Sequence, residues 1–168
     1  MASAPNRFQT LFLISALAIL MAAPATLVSV PAIRGDEKQS PAPWTSAQVV
    51  QADALAHELG DKNGAAPTIV YVGFHTLFAG GHIPGAAFHG PASTEKGLAN
   101  LKKWADGLPR TTNLVVYCGC CPFGKCPNVR PAFTVLSSMG FKKLRVLVLP
   151  TSLVEDWVNK GFPLQKGM

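Results

Sequence analysis

The sequence predicts an α/β fold with a central, mostly parallel sheet and helices on both faces. Three observations carry that prediction. Short, nearly wholly apolar runs at 68–72 (TIVYV), 114–117 (LVVY) and 144–149 (LRVLVL) read as strands buried on both sides, the pattern of parallel sheets. Segments of helical periodicity alternate with these runs. Glycine and proline punctuate the boundaries, as at Gly60, Gly107-Leu108-Pro109, Gly140 and Gly161. A chain of 168 residues supports one ordinary domain.

The N-terminus reads as an address. After Arg7 an uncharged stretch runs through an apolar core, residues 11–21, into the small residues Ala22 and Ala23. This is the layout of a secretory signal peptide, assigned to residues 1–25, with an alternative end after Ala32. The other reading is an uncleaved membrane anchor, because apolar character resumes at residues 27–30; Pro24 interrupts it. Either reading places the domain in an exported compartment, periplasmic or secreted. Residues 33–44 carry charges and two prolines and read as a linker, leaving a domain at 45–168.

Thr45-x-x-Gln48 has the form of a capping box before a helical stripe of Val49, Ala52, Leu55, Ala56 and Leu59, stopped by Gly60. The run 68–72 is the first buried strand. Gly80-Gly81-His82-Ile83-Pro84-Gly85-Ala86-Ala87 is a turn-rich loop entering another short strand. Residues 98–104 read as helix, and the strand 114–117 follows. After it, residues 129–139 form an amphipathic helix closed by Gly140, and 144–149 a further interior strand. Ser152-x-x-Glu155 caps a last helix holding Leu153, Trp157 and Val158, with Trp157 in the core.

Between strand 114–117 and helix 129–139 lie all four cysteines, Cys118, Cys120, Cys121 and Cys126. A thiolate at a strand's C-terminal end that faces the start of the next helix meets loop N–H groups and the positive end of the helix dipole. Both lower a thiol pKa. Cys118 holds that place, so the chemistry expected of the chain is sulfur chemistry. The net charge of +6 is scattered, with Lys102-Lys103 and Lys142-Lys143 as pairs and no basic tract interleaved with aromatics. Nucleic acid is therefore not an expected partner. The balance suits a small anionic substrate.

Gly81-His82-Ile83-Pro84-Gly85-Ala86 matches the GHIPGA signature of rhodanese domains. Val115-Val116-Tyr117-Cys118 resembles the strand that ends in that family's active cysteine. Residues 140–149, then Trp157 and Gly161-Phe162-Pro163, resemble its closing strand, tryptophan helix and exit. The resemblance spans about residues 44–166 and implies a three-layer sandwich. It also implies an activity, in which Cys118 takes a sulfane sulfur from a small anionic donor and passes it, as a persulfide, to a thiophilic acceptor. No cofactor is implied.

Departures from the family pattern are as informative. The usual Asp-x-Arg before the hexapeptide is replaced by Tyr71 and Gly73, and Leu77 stands where an acidic residue usually follows. The usual active loop is a cysteine, four residues and an arginine; here it is longer, and Arg130 stands as the equivalent arginine. Lys125 and Arg130 are the expected anion-binding residues. Pro122 and Pro127 each remove an N–H donor from the loop. His82 is expected to pack the loop rather than act as a ligand, and His57, His75 and His89 have no metal-like spacing.

Three chemistries stay open for Cys120, Cys121 and Cys126. One of them could resolve an oxidised or persulfidated Cys118. A disulfide, structural or redox, could close the loop. Together with Cys118 they could hold Cu(I) or Zn(II), although C-x-C-C-x4-C is not a common paired zinc spacing and no metal is assigned. The corresponding alternatives to sulfur transfer are a non-catalytic binding module for a thiophilic metal and a thiol–disulfide redox protein. A phosphatase is excluded, because no cysteine is followed by five residues and an arginine.

Overall fold

The structure, a computed structural model, describes residues 41–167. The signal-peptide and anchor readings and most of the expected linker lie outside the described residues. Among the described residues, no helix is long and apolar enough to cross a membrane.

Five strands, β1 (Val49–Gln51), β2 (Thr68–Tyr71), β3 (Ala87–Phe88), β4 (Asn113–Tyr117) and β5 (Lys143–Val148), form one sheet in the order β1-β5-β4-β2-β3. Every pairing is parallel. Four helices connect them: α1 (Ala52–Gly60), α2 (His75–Gly80), α3 (Glu95–Asp106) and α4 (Val129–Ser138). The α/β class and the two helical layers expected from the sequence are those observed.

The period-two geometry of a strand divides the apolar runs between the two layers. Val70, Leu114, Val116, Leu144 and Val146 face one way and pack under α3 and α4, against Leu101, Ala105, Ala132, Phe133 and Leu136. Ile69, Tyr71, Val115, Tyr117 and Leu147 face the other, against Leu55 of α1, Phe78 of α2 and Trp157. Burial of each such side chain contributes roughly 1.5–3 kcal/mol. Arg145, the one charged residue inside the run at 144–149, meets a built partner. Its guanidinium donates two 2.7 Å bonds to the Glu58 carboxylate on α1 and one of 3.0 Å to Asn113 Oδ1.

Two segments differ from their sequence reading. Val49 belongs to a strand, not to the first helix. Gln48 Oε1 accepts the Thr45 N–H at 2.9 Å, but the turn this closes is a single 3₁₀ turn, Ser46–Gln48. The β-branched pair Val49-Val50 then covers the free edge of β5, and the helix begins only at Ala52. Near the C-terminus, Ser152 Oγ accepts the Glu155 N–H at 3.1 Å as expected. The acidic half of the cap comes from Asp156, whose carboxylate accepts the N–H groups of Thr151 and Ser152. The segment it caps is one wide π-type turn, Val154–Val158. Helix α2 had no sequence signal strong enough to announce it.

The chain order places a crevice. After β2 the chain passes through α2, on the Trp157 face, to the β3 edge. After β4 it passes through α4, on the opposite face, to β5. Connections that leave neighbouring strands in opposite directions open a gap beyond their C-terminal ends, where ligands of parallel sheets bind. Tyr71 ends β2 and Tyr117 ends β4, so Cys118 emerges at that gap.

Candidate active site

The loop after β4 is tied down at several points by its backbone. Tyr117 O accepts the Val72 N–H, Gly119 O accepts the Leu153 N–H at 3.0 Å, and Phe123 N–H donates to Leu149 O at 3.2 Å. Gly119 has φ +74°, and a Cβ there would lie 2.9 Å from Leu153 Cβ. Only glycine makes this turn without strain. A 3₁₀ turn, Phe123–Lys125, then carries the chain to Cys126 and the start of α4.

These anchors gather the four thiols expected from the sequence. The Sγ atoms of Cys118, Cys120 and Cys126 all lie within 4.8 Å of one another. Cys118 and Cys120 approach to 3.0 Å, and Cys120 and Cys121 to 3.3 Å. All four are free thiols, with Cys118 and Cys126 buried and the other two half-buried.

Polar hydrogens around the cluster are divided between two sulfurs. Cys118 receives the Cys120 N–H and, at 3.6 Å, the Asn128 side-chain amide. Cys126 receives the N–H groups of Asn128 and Val129 at the start of α4. The helix-start N–H groups expected for Cys118 are directed at Cys126 instead. Its pKa is lowered to about 6, first by the Cys118 thiol donating to it and then by those two N–H groups against the cost of burial. Cys118 is pushed up as the donor to Cys126 and by desolvation. Cys121 is pushed up to about 12, chiefly by burial. The shifts run in opposite directions, Cys126 toward the thiolate and Cys118 and Cys121 toward the thiol.

Asn128 was missed in the sequence. It is fully buried, its Oδ1 accepts the Ser93 N–H at 2.9 Å, and its amide turns to Cys118. Asparagine before a helical pattern signals an N-cap. Here the Asn128 side chain makes no cap bond to α4 and instead joins the loop before α3 to Cys118. Gly73 is the second such residue. A Cβ there would lie 2.6 Å from the Tyr71 hydroxyl and 2.8 Å from Cys118 Sγ. The Asp-x-Arg positions of the sequence reading thus hold a phenol and an empty space that the cysteine fills. Burial raises the Tyr71 pKa, with the Cys118 thiol adding to it, so the phenol is neutral.

A cavity of about 390 Å³ opens over Cys118, Gly119 and Cys120, within the usual size for small-molecule sites. Its walls are Tyr71, Leu77 and Thr76 on one side and Ser152, Leu153 and Val154 on the other. Leu77 and Val154 are 49% and 54% exposed and form an apolar rim. Neither Lys125 nor Arg130 lines this cavity. Lys125 is exposed on the 3₁₀ turn. Arg130 donates to the Pro41 carbonyl at 3.1 Å and lies 5.6 Å over the Trp44 ring, which itself packs on Phe123 and Phe133. The longer loop has carried both cations outward. His82 packs as expected, stacked on Phe78 at 3.8 Å with Nδ1 on the Phe78 carbonyl.

No family model matches this sequence, and no curated protein matches it. Solved structures do. A rhodanese-like domain of a protein from Anabaena sp., determined in solution, superposes with a TM-score of 0.53 at 22% identity, covering 71% of this chain and 79% of that one. A crystal structure of the same Anabaena protein gives 0.53 at 21% identity, covering 71% and 93%. SseA from Escherichia coli, described as a 3-mercaptopyruvate sulfotransferase, gives 0.51 at 20% identity, covering 71% of this chain and 52% of that one. At these identities the likeness is one of fold.

Proposed function

We propose that this chain, built on the rhodanese-like fold, transfers sulfane sulfur through a persulfide on Cys118. The observation that carries the reading is the position of Cys118. It lies at the C-terminal end of the central strand, lines the cavity and has the Cys120 and Cys126 sulfurs within 4.8 Å. Cys118 supplies the nucleophile and Cys126 accepts its proton. The Cys118 sulfur attacks the outer sulfur of a donor such as thiosulfate, and the donor S–S bond breaks. Its electron pair leaves with sulfite, and the Cys118 proton passes to Cys126. The acceptor's nucleophile then attacks the terminal persulfide sulfur, the new S–S bond breaks toward Cys118, and Cys126 returns the proton.

Three groups support the charge on the persulfide: the Cys120 N–H, the Asn128 amide and the neutral Tyr71 hydroxyl beside Gly73. Lys125 and Arg130 act at longer range, drawing an anionic donor to the loop without lining its cavity. The apolar N-terminal stretch supports export, with a mature chain beginning after residue 25 or 32.

Mass spectrometry of the mature protein before and after thiosulfate tests the reading. A gain of one sulfur that is absent in Cys118→Ser is the expected result. No gain from thiosulfate or any other sulfane donor would overturn it.

A further inference from the structure

The cysteine cluster holds more sulfur than a one-cysteine relay uses. We propose that Cys118, Cys120 and Cys126 also form a three-coordinate site for a soft monovalent cation, Cu(I) in chemical class. The inference does not depend on the relay.

Geometry is the first argument. A metal bonded to three sulfurs at about 2.3 Å in a trigonal plane needs sulfur–sulfur edges of roughly 4 Å. The three Sγ atoms lie within 4.8 Å of one another, with the Cys118–Cys120 edge at 3.0 Å, so the triangle brackets that size. Small rotations of the half-buried Cys120 side chain close the difference. Donor type is the second argument. The cluster contains thiols alone, with no carboxylate or imidazole among its members, and sulfur-only sites select soft ions. The number of ligands is the third. Cys121 touches Cys120 at 3.3 Å but is not among the three that converge. A fourth ligand is what zinc would demand, whereas three suffice for Cu(I).

The surroundings fit such an ion. Three thiolates around one positive charge leave excess negative charge, and N–H groups already point at it: Cys120 and the Asn128 amide on Cys118, Asn128 and Val129 on Cys126. Such outer contacts orient ligands and tune the metal. Val129, Ala132, Phe133 and the half-buried Phe123 belong to the apolar cluster packed around the thiols and exclude water on that side. On the other side the cavity reaches Cys118 and Cys120 and gives an entry path.

The test is an anaerobic titration of the reduced mature chain with Cu(I) in the presence of bathocuproine disulfonate as competing chelator. One equivalent of copper should leave the chelator, and X-ray absorption should show three sulfurs around it. Cys118→Ser, Cys120→Ser and Cys126→Ser should each weaken binding at least about a hundredfold, the loss of one ligand from a thiolate site. Cys121→Ser should change it less than about threefold, an ordinary surface effect. Circular dichroism of each variant separates lost ligation from lost fold; Cys120, half-buried, is the decisive position. Failure to withdraw copper from the chelator, a two-sulfur shell, or equal loss in Cys121→Ser would each overturn the site. A loaded chain should take no sulfur from thiosulfate and recover after the metal is stripped. A chain that binds copper but never forms a persulfide would leave this site standing and remove the relay.

Discussion

Gly73→Ala tests whether the space beside Cys118 is as filled as the structure describes. The added methyl would lie 2.6 Å from the Tyr71 hydroxyl, 2.8 Å from its Cζ and 2.8 Å from Cys118 Sγ. None of these atoms can retreat easily. The Tyr71 ring is held against Tyr117 at 5.2 Å, Phe78 at 5.5 Å and Phe88 at 6.3 Å, and Cys118 by Cys120 and Asn128. Overpacking of this kind costs about 1–3 kcal/mol. For a domain of this size that is a fall in Tm of roughly 3–15 °C. Gly60→Ala is the control. Its Cβ meets nothing within 4 Å, and alanine in place of a helical glycine gains up to about 1 kcal/mol. Differential scanning calorimetry of both variants, with the rate of sulfur uptake from thiosulfate, gives the answer. Gly73→Ala should lose stability and also slow persulfide formation, because the relief available displaces the reacting sulfur or the phenol beside it. An unchanged Tm with an unchanged rate would refute the packing of Tyr71 and Cys118 around this glycine.

Other predictions concern the groups that tune the site and the sheet. Ultraviolet titration of the protein should find a single thiolate forming near pH 6, absent in Cys126→Ser; a first thiolate appearing only above pH 8 would contradict the assigned polarity. The same shift makes stability depend on pH. Between pH 6 and about 8.5 the unfolded chain holds a proton that native Cys126 has lost, so stability rises with pH there. Above about 8.5 the unfolded thiols ionise while native Cys118 and Cys121 do not, and stability falls. Asn128→Ala removes the acceptor of the part-buried Ser93 N–H bond and should cost about 0.5–1.5 kcal/mol in urea unfolding while slowing sulfur uptake. Glu58→Gln removes one side of a partly exposed bidentate pair and should cost about 0.5–1 kcal/mol at pH 7. Arg145 lowers the Glu58 pKa, so this contribution is present above about pH 4.3 and is lost as pH falls through the lower native value. Wild type and Glu58→Gln should therefore converge in acid, and a constant difference at all pH would exclude the ion pair as its source.

The elements legible in the sequence were those whose signal is local. TIVYV, LVVY and LRVLVL are apolar on both sides, and only a buried parallel sheet satisfies that pattern. Val49 was misread because a β-branched pair that covers a sheet edge also fits a helical stripe, and the deciding partner, β5, lies nearly a hundred residues away. Asn128 was missed for a related reason. Its position predicts a cap, and the sequence does not reveal that its side chain turns instead to the Ser93 N–H and Cys118. Lys125 and Arg130 are expected as anion-binding residues from the resemblance, and that resemblance does not give the direction in which an enlarged loop carries its charges.

That enlargement explains why the polarity of the loop differs from the sequence expectation. In a short loop the strand-end cysteine is also the group nearest the start of the following helix, so one sulfur receives both sets of N–H groups. Here the added residues separate the two roles. Cys118 keeps the strand end and the cavity, while Cys126 takes the helix start. The two sulfurs are then brought within 4.8 Å by the turn at Gly119 and the 3₁₀ turn before Cys126, so in the proposed relay Cys126 serves as base for Cys118. Pro122 and Pro127 fit this arrangement, because the donors at the sulfurs come from Cys120, Asn128 and Val129 and none is needed from a proline. In the proposed relay, the nucleophile of such a loop is activated by giving its proton to Cys126. Its reactivity should therefore depend on Cys126 at least as steeply as on any cation around the site.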